Sequence, residues 1–130
     1  MNYYTQKLLR LKKGYFSNEE QLKITINTKR HIDAHFDQEI NLDELAQLQE
    51  VSKYHLIRMF KKYYGLTPKQ YLIDKRIETA RKILRSGKSV SDACYSVGYD
   101  SIHSFSTLFK AKTGMSPSVY RRATFDKTKD

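Results

Sequence analysis

The sequence predicts an all-α protein of about seven helices, in which one helical unit is used twice. Three observations lead there. The stretch Ser52–Tyr71, SKYHLIRMFKKYYGLTPKQY, has a near-copy at Ser101–Tyr120, SIHSFSTLFKAKTGMSPSVY, at a constant offset of 49 residues. Across that offset Ser52, Phe60, Lys61, Gly65, Pro68 and Tyr71 meet Ser101, Phe109, Lys110, Gly114, Pro117 and Tyr120, while Leu56 meets Phe105 and Thr67 meets Ser116. Apolar residues recur at spacings of three and four, the period of a helix with one buried face. Gly65, Gly87, Gly98 and Gly114, with Pro68 and Pro117, fall between those periodic stretches and so mark stops and starts.

Residues 1–19 form an N-terminal arm with two readings. Tyr3, Tyr4, Leu8, Leu9, Leu11, Tyr15 and Phe16 suit a short amphipathic element docked on the body and interrupted by Gly14, or the arm is frayed. From about Glu20 to Phe36, Ile24, Thr28, His31, Ile32 and His35 share one helical stripe. His31 and His35 are the one pair set to hold a metal from adjacent turns. The residues after His31 are Ile32 and Asp33, not the glutamate a helical zinc protease uses as its base, so the pair is expected to pack. Asn41 is an expected N-cap, with Glu44 in capping-box position, and Leu42, Leu45 and Ala46 face inward. Ser52 caps a second helix to about Tyr64, buried through Leu56, Met59, Phe60 and Tyr63. Gly65 supplies its left-handed stop, and Thr67-Pro68 opens the next helix.

Pro68 to Ser86 reads as one long linker helix, with Leu72, Ile73, Ile77, Ala80, Ile83 and Leu84 on its apolar stripe and Lys75, Arg76, Arg81, Lys82 and Arg85 around the rest. At about 1.5 Å per residue it spans roughly 27 Å, comparable with one turn of DNA at about 34 Å. The second unit repeats the first. Ser89 caps a helix whose Val90, Ala93, Cys94 and Val97 face inward, and Cys94 is read as a small packing residue in the place of Ala46. Gly98 turns the chain, with Tyr99 packed behind it. The second helix runs from Ser101 to about Thr113 with Phe105, Leu108 and Phe109 inside. Ser116-Pro117 opens a last helix to about Ala123, and residues 124–130 are expected to be a loose tail. The expected domains are therefore a first subdomain over 20–67, the linker over 68–86 and a second subdomain over 87–123.

Charge is distributed unevenly. The 130-residue chain carries a net charge of +10. Residues 1–50 hold 7 Lys/Arg against 8 Asp/Glu, whereas residues 51–130 hold 17 against 6. An excess blocked over the repeats favours a polyanion such as DNA. No run of about 18 apolar residues suggests a membrane span, and the start lacks the apolar core of a secretory signal. The single cysteine, Cys94, leaves no intramolecular disulfide and fits a reducing cytoplasm. There is no Ser/His/Asp order, Gly-rich phosphate loop or paired metal cysteines, so neither an enzyme nor a cofactor is expected.

A short helix, a tight turn and a longer second helix describe a helix-turn-helix, whose second helix enters the major groove. Opposite the apolar stripes, the expected base-reading positions are Lys53, Tyr54, Ile57 and Arg58 in the first unit and Ile102, His103, Ser106 and Thr107 in the second. Arg58 can fork onto guanine O6 and N7, and Ile57 and Ile102 suit thymine methyls. Ser106 and Thr107 accept several bases, so the first unit is expected to carry more of the sequence reading. Ser52, Lys61, Lys62, Lys69, Lys110, Lys112, Arg121 and Arg122 are the expected phosphate contacts, with the helix N-termini at Ser52, Pro68 and Pro117. The alternatives are a nucleic-acid-coating protein of low specificity, a helical module that acts on another protein, or the DNA-binding fragment of a larger effector-responsive regulator.

Three segments resemble a known family: LAQLQEVSKYHLIRMFKKYYGLTPKQYL, RIETARKIL and SVSDACYSVGYDSIHSFSTLFKAKTGMSPSVYRR. Together, over about residues 20–122, they are similar to the DNA-binding domain of the AraC/XylS bacterial transcription regulators. The G-x-[ST]-P-x-x-Y element appears twice, and the second turn, VGY-DS, is one residue longer than the first. The resemblance implies a bipartite seven-helix domain that binds adjacent major grooves as a monomer in the bacterial cytoplasm, often with RNA polymerase as a further partner. It places base reading on Tyr54, Ile57 and Arg58 and on Ile102, His103, Ser106 and Thr107. Thr107 stands where many members have Arg, and Glu50 where the first turn often has Gly. With about 20 residues before the match, the chain looks like the short, stand-alone subgroup.

Overall fold

A computed structural model describes residues 2–6 and 16–128, with side chains to Phe125. Among the described residues the fold is all α. Seven helices follow one another: α1 Asn18–His35, α2 Leu42–Leu48, α3 Lys53–Tyr64, α4 Pro68–Arg85, α5 Val90–Ser96, α6 Ile102–Thr113 and α7 Pro117–Thr128. A helical turn covers residues 3–6. Among these residues no helix is long and apolar enough to cross a membrane.

The helix starts follow the chemistry of their first residues. Asn41, Ser52, Ser89 and Ser101 each sit in extended backbone and accept a hydrogen bond from the N–H three residues on, which satisfies one of the donors a helix leaves open. At α4 the cap is reciprocal. Gln70 N–H donates to Thr67 Oγ1 at 3.2 Å, and Thr67 N–H donates to Gln70 Oε1 at 2.9 Å. The stops match as well: Gly65 at φ +78° and Gly114 at φ +84° end α3 and α6, each donating to the carbonyl four residues back at 2.8 Å.

The chain divides into two compact units, Met1–Ala34 with Ile40–Tyr71, and His35–Glu39 with Leu72–Asp130. The expected linker is therefore not a separate piece. Its first turn belongs to the first unit and the rest to the second. His35, the last residue of α1, and the four residues after it also belong to the second unit, where Phe36 packs on the core.

The first unit is centred on Phe16, Ile24, Leu45, Ala46, Val51, Leu56 and Met59, with Phe60 fully buried beside Tyr64 and Tyr71. Phe16 thus docks as one reading of the arm required, while Tyr3 and Tyr4 are exposed. Leu8, Leu9, Leu11, Gly14 and Tyr15 lie outside the described residues. Two threonines of α1, Thr25 and Thr28, are buried, and their hydroxyls return to the helix by donating to Gln21 O and Ile24 O at 2.8 Å. His31 and His35 are half-buried. The second unit is centred on Ile77, Ala80, Leu84, Ala93, Cys94, Val97, Phe105 and Phe109. Burial pushes the Cys94 thiol above its ordinary pKa, which fits the packing role expected of it. Each fully buried aromatic ring here removes enough apolar surface from water to contribute about 2–3 kcal/mol.

One expectation is corrected. The segment expected to be loose from residue 124 is helical as far as Thr128, where α7 ends. Phe125 accounts for the extra turn. Its ring covers Gly87, where an added Cβ would meet it at 2.6 Å.

The two helix-turn-helix turns differ by one residue in length but open with the same closure, built from different residues. Val51 N–H reaches Ala46 O at 3.0 Å and Glu50 N–H reaches Gln47 O at 3.0 Å, while Tyr99 N–H reaches Cys94 O at 3.1 Å and Gly98 N–H reaches Tyr95 O at 3.2 Å. Both are Schellman closures. The left-handed residue is Gly98 at φ +98° in one and Glu50 at φ +57° in the other. A side chain resists that conformation. Glu50→Gly is therefore expected to stabilise the protein by about 0.5–1 kcal/mol, seen as a higher midpoint in urea unfolding. An unchanged or lower midpoint would show that Glu50 holds its turn by contacts worth more than the strain.

Candidate nucleic-acid interface

The geometry of α3 and α6 follows from which residues each helix buries. Leu56, Met59 and Phe60 are buried in α3, Phe105 and Phe109 in α6. With about 100° per residue, the side opposite is occupied by positions 54 and 58 in the first helix and 103 and 107 in the second. Tyr54, Arg58, His103 and Thr107 are accordingly exposed. The other expected readers flank this ridge. Lys53, Ile57 and Ser106 are half-buried, and Ile102 is 39% exposed.

Two of the eight are engaged within the fold. Lys53 Nζ lies 3.7 Å from Asp43 Oδ1, across the turn, and 5.8 Å from the centre of the Tyr54 ring. Thr107 Oγ1 donates to His103 O at 3.0 Å, so its hydroxyl hydrogen is already committed to the helix and the group offers a base only an acceptor and a methyl. Arg58 is exposed and makes no such contact among the described residues.

The expected phosphate contacts divide in the same way. Lys61, Lys69, Lys110 and Arg122 are exposed. Ser52 caps α3, its hydroxyl also within 2.7 Å of His55 Nδ1. Lys62 Nζ donates to Gln21 Oε1 at 3.0 Å and lies over the Tyr63 ring. Lys112 pairs with Asp74 at 3.0 Å. Arg121 is turned into the fold, where its Nη2 and Nε donate to Gly87 O at 2.6 Å and Lys88 O at 2.9 Å. Both carbonyls lie in the loop between α4 and α5, outside any helix, so a side-chain donor can take them. At the N-terminus of α4, Thr67 N–H is taken by Gln70 Oε1 and Gln70 N–H by Thr67 Oγ1.

Sequence reasoning missed two supports. Arg76, expected on the solvent side of α4, donates from Nε to Phe36 O at 2.6 Å and from Nη2 to Gln38 O at 2.9 Å, and its guanidinium lies 5.0 Å from the Tyr99 ring centre. It thereby joins α4, the segment after α1 and the second helix-turn-helix turn within one unit. The other support is Tyr71, whose hydroxyl donates to Asp33 Oδ1 at 2.6 Å while Lys29 Nζ holds Asp33 Oδ2 at 2.9 Å. No signal in the sequence marks either long-range bond, although Tyr71 lies in the repeated motif.

Burial, and then the bond to Asp33, push the Tyr71 phenol from 10.0 up to about 12. The protonated form is favoured by folding, so its contribution is complete below about pH 10 and lost as pH rises towards 12. Tyr71→Phe is expected to cost about 1–2 kcal/mol at neutral pH. The gap from wild type should narrow through that alkaline window in denaturant unfolding. A gap that stays constant up to pH 12 would place the loss elsewhere than in the hydroxyl.

Comparison with known proteins gives these features a family. A model described as a helix-turn-helix domain matches residues 45–123, more than half of the chain. The C-terminal domain of AraT, a response regulator from Geobacillus stearothermophilus, superposes with a TM-score of 0.73 at 35% identity, covering 77% of this chain and 84% of that one. An AraC-type DNA-binding domain protein, a transcriptional regulator from Chromobacterium violaceum, superposes at 0.69 with 25% identity, covering 80% and 94%. The bifunctional transcriptional activator/DNA repair enzyme AdaA of Bacillus subtilis is 36% identical over 71% of this chain, which spans 44% of that protein. The chain belongs to the AraC/XylS family of helix-turn-helix transcriptional regulators, whose DNA-binding domain it carries.

Proposed function

We propose that the protein regulates transcription by binding a specific duplex sequence, with α3 and α6 entering successive major grooves and the domain acting as a monomer. The observation that carries this reading is the paired ridge. Tyr54 and Arg58 on one helix and His103 and Thr107 on the other project from the side opposite each core, on the half of the chain that holds the positive excess. Arg58 supplies bidentate reading of guanine, worth about 1–3 kcal/mol. Ile102 and Thr107 supply apolar contact for thymine, so the box read by α6 is the less strictly defined of the two. Lys61, Lys69, Lys110 and Arg122 hold the backbone and set the salt dependence. RNA polymerase is the natural second partner of a regulator of this family.

Selection from a random duplex library, at near-physiological salt, tests the proposal. Two short enriched boxes about one helical turn apart are expected. Arg58→Ala should relax one position of the sharper box by about 1–3 kcal/mol, whereas Lys110→Ala should weaken all sequences alike and make the salt slope shallower. Recovery of no preferred sequence would instead favour a nucleic-acid-coating protein.

A further inference from the structure

A groove of about 400 Å³ lies on the second unit, away from the base-reading ridge of α6. One face of α4 supplies Asp74, Ile77, Glu78, Arg81, Lys82 and Arg85, and Lys112 closes it from the end of α6. The size is in the range of small-molecule sites, about 300–1,000 Å³. Four cations and two carboxylates line it, and the pairing among them leaves a surplus in one place. Asp74 is held by Lys112 at 3.0 Å, and Glu78 lies 3.9 Å from Lys82. Arg81 and Arg85 have no carboxylate partner among the described residues. Both are directed onto one tyrosine: the Arg81 guanidinium sits 5.8 Å from the Tyr120 ring centre, and Arg85 Nη1 donates to the Tyr120 hydroxyl at 3.4 Å. Arg81 is half-buried, and its Nε is sealed from solvent without an acceptor.

A partly buried guanidinium without a counter-charge is costly. Two guanidiniums one helical turn apart, both beside Tyr120, offer donors suited to the oxygens of a phosphate. We propose that this groove is a binding site for a small phosphorylated molecule, with Arg81 and Arg85 as the phosphate ligands and the Asp74–Lys112 pair forming the far wall. The phosphodiester backbone of DNA offers the same chemistry, so the experiment separates the two sources.

The test titrates the isotope-labelled protein with inorganic phosphate and with pyrophosphate, at ionic strength held constant with chloride, and follows backbone amide shifts and Tm. Saturable shifts confined to residues 78–85 and 112 are expected. At about ten times Kd they should be accompanied by a Tm rise of about 3–6 °C. Both responses should vanish in Arg81→Gln/Arg85→Gln and persist in the charge-matched Lys75→Gln/Lys88→Gln. Shifts that fail to saturate, or that spread over all the basic residues, would reduce the site to diffuse counter-ions and overturn the proposal. The same double variants are then bound to a duplex taken from the library selection. Unchanged affinity in Arg81→Gln/Arg85→Gln supports a site for a free ligand. A weaker, less salt-sensitive complex would make DNA the occupant and overturn it, while leaving the proposed function intact.

Discussion

Replacing Gly98 with alanine is expected to cost about 3 kcal/mol, while the same change at Gly65 costs about 1. Both glycines have positive φ, +98° and +78°, and a Cβ resists that backbone by about 1–2 kcal/mol. The difference lies in the space around them. At Gly65 an added Cβ meets nothing within 4 Å, whereas at Gly98 it falls 2.9 Å from the carbonyl carbon and oxygen of Asp37 and 3.1 Å from Arg76 Nη2. Backbone cannot yield as a flexible side chain would, and Asp37 lies between the two residues whose carbonyls Arg76 grips, Phe36 and Gln38. The clash therefore propagates into the clamp. Urea unfolding of Gly65→Ala and Gly98→Ala measures the contrast directly. Equal losses would mean that conformation alone matters at both turns and that the close approach of Asp37 is relieved without cost.

That contrast also marks the boundary of what the sequence makes legible. A repeat at offset 49, its caps and its stops are local features. They are written in Ser52, Gly65, Pro68 and their partners because a cap or a left-handed turn is decided within four residues. The exposed side of α3 was legible for the same reason: helical spacing alone sets Tyr54 and Arg58 opposite Leu56 and Phe60. Bonds between distant segments leave no such mark. Arg76 reads like the other basic residues of α4, and nothing in its neighbours announces that it bonds 40 residues back. Arg121 reads like a phosphate ligand until the carbonyls of Gly87 and Lys88 appear beside it. The end of α7 was misplaced because Phe125 looks like a lone apolar residue in a polar tail, whereas its ring covers Gly87 and lies under the Arg121 guanidinium. The Glu50 turn shows the converse. The residue is unsuited to its φ, yet the Schellman bonds on both sides of it form regardless, so the surrounding fold overrides a local preference.

Arg76→Ala should be among the most destabilising single changes outside the apolar core, at about 3 kcal/mol. Two charge-assisted hydrogen bonds are lost, each worth about 1.5–3 kcal/mol when truncation strands the acceptor, although the bond to Gln38 O is exposed and contributes less. The stacking on Tyr99 adds about 0.5–2. Arg76→Lys should recover little, because an ammonium lacks the planar fork that reaches both carbonyls from a position over the ring. Exposed Arg30 on α1 provides the control, and its alanine variant should stay within about 0.5 kcal/mol of wild type. The functional consequence separates this residue from the readers. Arg76→Ala loosens the segment after α1 and the turn that carries α6, so DNA affinity should fall for every sequence while the enriched boxes keep their identity. Arg58→Ala does the reverse, changing a base preference with stability preserved. Unfolding midpoints and library selection on both variants measure the two outcomes. If Arg76→Ala altered the selected sequence at full stability, the residue would belong to the interface, and the clamp seen in the structure would not be its reason for being there.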